Sequence, residues 1–287
     1  MRIAVTGRDG QVARALAELG SRGGHEIVAL GRPSFDLADR ATIEPGLRRA
    51  RPDVVVNAAA YTAVDKAESE PEVAEAAAAL GVPVLQVSTD YVFDGAKPTP
   101  YRENDAVAPL GVYGRSKLAG EHAVAKANPR HVILRTAWVY APYGVNFVRT
   151  MLRIAATKPE VGVVADQHGC PTSALDIAAT LIGVAEKIVA EPENLELNGV
   201  FHMAARGEAV WADVAEAVFA ASRERGGPAT QVRRITTADF PTQARRPANS
   251  RLDCTKLSQV YGIVLPEWRA SLDRCVGRLV GEMHAAG

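Results

Sequence analysis

Short β-branched runs alternate with longer stretches of helical periodicity along the first half of the chain. The runs Ile3–Thr6, Glu26–Leu30, Val54–Asn57, Val82–Ser88 and His131–Arg135 are apolar almost throughout, which predicts strands buried on both faces of a parallel sheet. Between them Gln11–Leu19, Thr42–Ala50, Glu70–Leu80 and Tyr113–Ala127 read as helices, each long enough to carry a parallel connection. The predicted class is α/β, a Rossmann-type doubly wound parallel sheet, in which ligands sit beyond the carboxyl ends of the strands.

After Arg135 the rhythm loosens. Helical stretches Phe147–Ala156, Ser173–Ile188 and Trp211–Arg225 mix with short strands Val161–Ala165, Val200–Met203 and Gln231–Ile235, which predicts a smaller α+β lobe. The expected organisation is a dinucleotide-binding domain over residues 1–140, with part of 160–190 packing back on it, and a mainly substrate-binding lobe over 141–287. Glu224–Pro228 and the proline- and arginine-rich Phe240–Ser250 read as surface connections.

Composition narrows the partners. With 287 residues and 47% hydrophobic content the chain can bury one large core with a smaller one beside it. Its 33 basic residues balance 33 acidic ones, so no net field draws in nucleic acid or an anionic membrane, and recognition falls to a local site. Cys170, Cys254 and Cys275 are odd in number and widely spaced, which speaks against a disulfide framework or a zinc knuckle. The start MRIAVTGRDG lacks a leader pattern and no segment reaches the ~20 apolar residues of a membrane span. A cytoplasmic protein is expected.

Candidate chemistry lies at the strand ends. Gly7 and Gly10, directly after the first strand, can bring backbone N–H groups to a pyrophosphate at a helix N-terminus, or simply form a strand–helix turn. The second strand is followed by Arg32 in place of the acid that binds a ribose diol, and an arginine there suits a 2′-phosphate or stays a solvated loop charge. Asp36 and Leu37 flank the adenine position as a short third strand ends, or cap the next helix. The small residues Ala58, Ala59 and Ala60 let a ligand approach the backbone, or serve helix–sheet packing.

Tyr113 and Lys117 stand at i and i+4, so on a helix they share a face. An ammonium beside a phenol of ordinary pKa ~10 favours the phenolate, which equips tyrosine to pass a proton to a carbonyl oxygen at neutral pH. The same lysine can hold a nicotinamide ribose. Such pairs also arise on solvated helices, but Thr89 adds a hydroxyl at the end of the preceding strand, where it either bonds its own turn or holds the same oxygen.

These motifs, together with the runs from Asn57 to Glu68, Arg135 to Tyr140, Asp166 to Thr172 and Arg246 to Leu252, resemble the dTDP-4-dehydrorhamnose reductase family of extended short-chain dehydrogenase/reductases. The resemblance runs almost end to end. It implies NADPH-dependent (NADH possible) reduction of the C4 keto group of a dTDP-4-dehydro-6-deoxy-L-sugar, with Thr89, Tyr113 and Lys117 as the catalytic set. It further implies that Gly10, Gln11, Val12, Asp36, Leu37, Ala59, Ala60 and Tyr61 line the cofactor, and that Thr62, Val64, Asp90 and Trp138 face the sugar. Arg246 would lie near the nucleotide diphosphate.

Two departures from that family stand out: the crossover after Glu68 is short, and Ala15 occupies the place of a glutamate that holds a dimer-bridging magnesium in some relatives. The resemblance therefore implies no metal and a monomer or weak homodimer. A dehydratase or epimerase of similar fold is the neighbouring reading, disfavoured by Tyr91 where dehydratases carry a glutamate after the aspartate. A non-catalytic dinucleotide-binding regulatory subunit is the reading from another class.

Overall fold

The computed structural model describes residues 1–58, 70–242 and 244–286. The first half runs β1 (Arg2–Thr6), α1 (Gln11–Arg22), β2 (Glu26–Leu30), α2 (Arg40–Ala50), β3 (Val54–Asn57), α3 (Glu70–Ala79), β4 (Val84–Thr89), α4 (Val112–Ala127) and β5 (His131–Thr136). The second half runs β6 (Val139–Tyr140), α5 (Phe147–Ala155), β7 (Glu160–Val164), β8 (His168–Gly169), β9 (Thr172–Ser173), α6 (Ala174–Ala190), β10 (Gly199–His202), β11 (Ala209–Val210), α7 (Trp211–Arg223), β12 (Gln231–Ile235), α8 (Thr255–Tyr261) and α9 (Trp268–Ala286).

Six parallel strands form the central sheet in the order β10-β5-β4-β3-β1-β2. Side chains alternate across it. Ile3, Val5, Val54 and Val56 pack on one side with Leu16 of α1 and Ile177 and Leu181 of α6, whereas Ala4, Val55 and Val84 pack on the other with Ile43, Leu47, Val73 and Val124. This explains the unbroken apolar runs, since burying each such aliphatic side chain contributes about 1.5–3 kcal/mol on either face. The register sets Thr6 beside Asn57 and Thr89 beside Thr136, which brings the carboxyl ends level.

The second half of the chain does not stay in a separate layer. α6 packs on α1, Ala15 is wholly buried in that same core, and β10 extends the sheet beyond β5. The smaller lobe gathers α5, α7 and α9 around the parallel pair β7 and β12, with Val148, Leu152, Val163, Phe219, Trp268 and Val276 inside.

One expected element is absent. Asp36 and Leu37 do not end a third strand: the backbone N–H of Asp36 donates to Thr42 Oγ1 at 2.9 Å and its carbonyl accepts from the same hydroxyl at 3.0 Å. A side-chain tie to the first turn of α2 thus takes the place of a ladder. The cap of α2 is Asp39, whose Oδ1 accepts from Ala41 N at 3.1 Å. Among the described residues no helix is long and apolar enough to cross a membrane.

Candidate active site

The loop after β1 opens with Gly7 at φ +90°, a left-handed conformation that a side chain would strain, and it feeds α1 through Gly10. Gly10 offers no capping side chain, the first turn of α1 has no acidic residue, and open space lies where the Gly10 Cβ would be. The first N–H groups of α1 are thus directed at an open groove, and an anion there is favoured by both hydrogen bonding and the helix dipole.

That groove joins two cavities. One, of about 480 Å³, is lined by Gly7, Arg8, Arg32, Asp36 and Leu37; the other, of about 440 Å³, by Gln11, Val12, Thr89, Asp90, Tyr113, Lys117 and Trp138; Gly10 and Ala58 border both. Gln11 Oε1 is buried without a hydrogen-bond partner among the described residues, an acceptor that a bound polar group would satisfy. The stem of Arg8 lies on Gly31, where a Cβ would come within 2.5 Å of Arg8 Cδ, so two arginines flank the first cavity. A dinucleotide suits this shape, with its pyrophosphate at α1 and a 2′-phosphate between Arg8 and Arg32. Arg8 has no helical or strand periodicity to mark it; its position beside Gly7 was the signal.

Thr89, Tyr113 and Lys117 all open onto the second cavity, as the strand-end argument required. Gly114 makes this possible, because a Cβ there would lie 2.1 Å from Tyr91 O and 2.9 Å from Pro109 Cβ. The bare glycine lets the first turn of α4 press against the 3-10 turn Asp90–Val92 that follows Thr89. Lys117 is buried, although its residue type seldom is, and it faces the cavity from one helical turn below Tyr113.

Thr89 Oγ1 accepts from Tyr91 N at 3.1 Å and donates to Asp90 Oδ1 at 2.9 Å. The hydroxyl therefore bonds its own turn, on a residue that also borders the cavity. Asp90 is buried, Oδ2 has no hydrogen-bond partner among the described residues, and burial pushes its carboxyl up to about 7 against the bonds from Ser250 and Thr89. Tyr91 is another phenol of the cavity, edge-on to Tyr113 with 6.1 Å between ring centroids. Burial, with the Asp90 charge adding to it, pushes Tyr91 up to about 12 against the opposing pull of Arg246, so it stays protonated at neutral pH.

Trp138 forms the far wall. Its φ of +47° is uncommon for a bulky residue, and the ring is held by two contacts: it stacks on Trp211 at 3.7 Å with 6° between planes, and it lies against Gly169, where a Cβ would be 2.3 Å from the indole. Phe147 packs against Trp211 with 4.7 Å between ring centroids and the planes tilted by 49°. Trp211, Phe147 and Pro171 line the cavity and were not foreseen, since they come from elements far apart in the chain. Arg246 is exposed at the rim, bonded to Thr242 Oγ1 at 2.7 Å and near enough to the Tyr91 phenol for its charge to act on it, outside the residues that line the cavity. Ala59, Ala60, Tyr61, Thr62 and Val64 lie outside the described residues.

Residues 1–280 match the model of the RmlD substrate binding domain. The dTDP-4-dehydrorhamnose reductase of Sinorhizobium fredii is 53% identical, over 98% of this chain and 99% of its own. Among solved structures, a dTDP-4-dehydrorhamnose reductase from Clostridium acetobutylicum superposes with a TM-score of 0.85 at 34% identity, covering 96% of this chain and 98% of the other. The enzyme of the same name from Bacillus anthracis, in complex with NADP, gives 0.84 at 30% identity over 95% and 97% of the two chains. Sequence and fold together place this chain in the dTDP-4-dehydrorhamnose reductase family.

Proposed function

We propose that the chain reduces the C4 keto group of dTDP-4-dehydro-6-deoxy-L-mannose (dTDP-4-dehydrorhamnose) to give dTDP-L-rhamnose, using NADPH in preference to NADH. The observation that carries this reading is that Thr89, Tyr113 and Lys117 border one cavity, continuous through Gly10 and Ala58 with the uncapped start of α1.

NADPH, when bound, supplies the hydride that reaches the carbonyl carbon. Tyr113 gives its phenolic proton to the keto oxygen, which becomes the new hydroxyl. Lys117, held on the same helix face, stabilises the phenolate that remains and positions the ribose of the cofactor. Thr89 turns its one hydroxyl hydrogen from Asp90 Oδ1 to the keto oxygen and so orients the sugar. Tyr91 serves as a neutral wall, because its phenol stays protonated. Asp90, with one unpartnered oxygen, suits a sugar hydroxyl, and Trp138 packs against the ring face, with Thr62 and Val64 assigned to the same sugar on the family resemblance. Arg246 at the rim suits the diphosphate, and Arg32 with Arg8 the 2′-phosphate. The reading includes a cytoplasmic setting, where nicotinamide is kept reduced, a nucleotide sugar as the partner, and a monomer or weak homodimer.

Titration with NADPH followed by addition of the keto-sugar nucleotide tests it. Loss of reduced nicotinamide with matching formation of dTDP-L-rhamnose is expected; cofactor binding without oxidation would overturn the proposal.

A further inference from the structure

Tyr113 and Lys117 are followed on the same helix face by a third residue at the same spacing, Glu121. Glu121 is 2% exposed and is not among the residues that line the cavity, although its partner Ser88 is. Its Oε1 accepts from Ser88 Oγ at 2.5 Å and from Arg135 Nε at 2.9 Å, and its Oε2 accepts from Arg135 Nη2 at 2.7 Å. Ser88 and Arg135 are register partners on β4 and β5, each one residue before the hydroxyls Thr89 and Thr136 that border the cavity. Arg135 is fixed in turn over the ring of Phe93 at 5.2 Å.

We propose that Glu121 is a positioning residue for the reduction. It sets the separation between the helix face bearing Tyr113 and Lys117 and the strand end bearing Thr89, by one carboxylate that bonds both β4 and β5. The inference rests on the proposed reaction. Two features favour positioning over a purely structural part. A buried ion pair adds little net stability compared with well-packed apolar residues, so its presence calls for another use. Its placement is also specific: one turn beyond Lys117 on one side, one residue before Thr89 on the other. With the glycine contact at Gly114 fixing the start of α4 and Glu121 fixing its middle, the helix has two anchors: Lys117 lies between them, and Tyr113 directly precedes the first.

The test uses the full chain and three variants. S88A removes the bond to β4 and leaves the ion pair; E121Q removes the charge; E121M/R135M replaces the pair by apolar side chains of similar length. For each, kcat, KM for the keto-sugar nucleotide, the NADPH dissociation constant measured without substrate, and Tm are compared with wild type and with Y113F.

Positioning predicts that kcat falls about ten- to hundredfold in E121Q and E121M/R135M and severalfold in S88A, with KM within about twofold, even where Tm matches wild type. Weaker NADPH binding is expected in the same order, because Lys117 is displaced. Wild-type kcat in a folded E121M/R135M would overturn the proposal, and if that variant does not fold, wild-type kcat and NADPH affinity in S88A would do so. Failure of the underlying reaction is separate: it shows as no turnover in the wild type itself, and the NADPH constants still decide on Glu121.

Discussion

Gly114 and Tyr91 touch so closely that a single methyl group on Gly114 would stand 2.1 Å from the Tyr91 carbonyl oxygen. The catalytic helix and the turn after β4 therefore meet backbone to backbone. G114A forces them apart, with an overpacking cost of about 1–3 kcal/mol. The expected result is a lower Tm together with a fall in kcat of at least about tenfold, read at a temperature where the variant is folded. An unchanged kcat would mean that Tyr113 does not depend on this contact.

Removing the proton donor separates chemistry from binding. Y113F is expected to lose kcat by about 10²–10⁴-fold while NADPH affinity stays close to wild type. Fluorescence titration and a turnover assay on the same preparation check both halves. A fully active Y113F would move the donor role elsewhere in the cavity.

Asp90 predicts a pH dependence with a definite sign. Its folded carboxyl titrates at about 7 against an ordinary 3.8, so the folded chain holds this proton more tightly than the unfolded chain does. The stability tied to that proton is complete below about pH 4 and is lost as pH rises towards about 7. D90N has no carboxyl to titrate, so wild type should fall behind it over that window, by an amount on the order of a few kcal/mol. Paired thermal melts from pH 4 to 8 measure the gap, and a gap that stays flat would show that Asp90 does not titrate there.

Arg32 predicts cofactor choice. R32A is expected to lower the preference for NADPH over NADH about tenfold, the equivalent of ~1.4 kcal/mol, through KM for NADPH alone. Equal changes for the two cofactors would remove the 2′-phosphate contact from Arg32.

The stack of Trp138 on Trp211 predicts an effect on binding more than on chemistry. W211A frees an indole whose backbone sits at φ +47°, and the loss of a stack contributing about 0.5–1.5 kcal/mol should raise KM for the keto-sugar nucleotide severalfold. kcat and NADPH affinity should stay near wild type. A change confined to kcat would contradict this.

The sheet was legible because its physics is local. Central parallel strands are buried on both faces, so the run at Val54–Asn57 matches the observed strand end for end, the edge strand Glu26–Leu30 shows by its β-branched middle, and the glycine turn, Thr89, Tyr113 and Lys117 could be placed on strand ends and a helix face. α9 was legible and missed: Trp268, Leu272, Cys275, Val276, Leu279 and Val280 follow helical spacing, but Gly277, Gly281 and scattered arginines obscure it. Asp36 and Leu37 misled because a strand end and a side-chain tie to a helix start look alike in sequence. Trp211, Phe147 and the approach of Arg246 to Tyr91 had no local mark, since each depends on residues brought together only by the folded chain.

The sixth strand of the sheet has a consequence for synthesis. β5 gains its outer neighbour only when Gly199–His202 arrives, so a nascent chain that stops near residue 140 leaves the edge of β5 unpaired and apolar. The nucleotide-holding half is then not a module that can be excised at the apparent lobe boundary; a ribosome must pass residue 202 before that half can close.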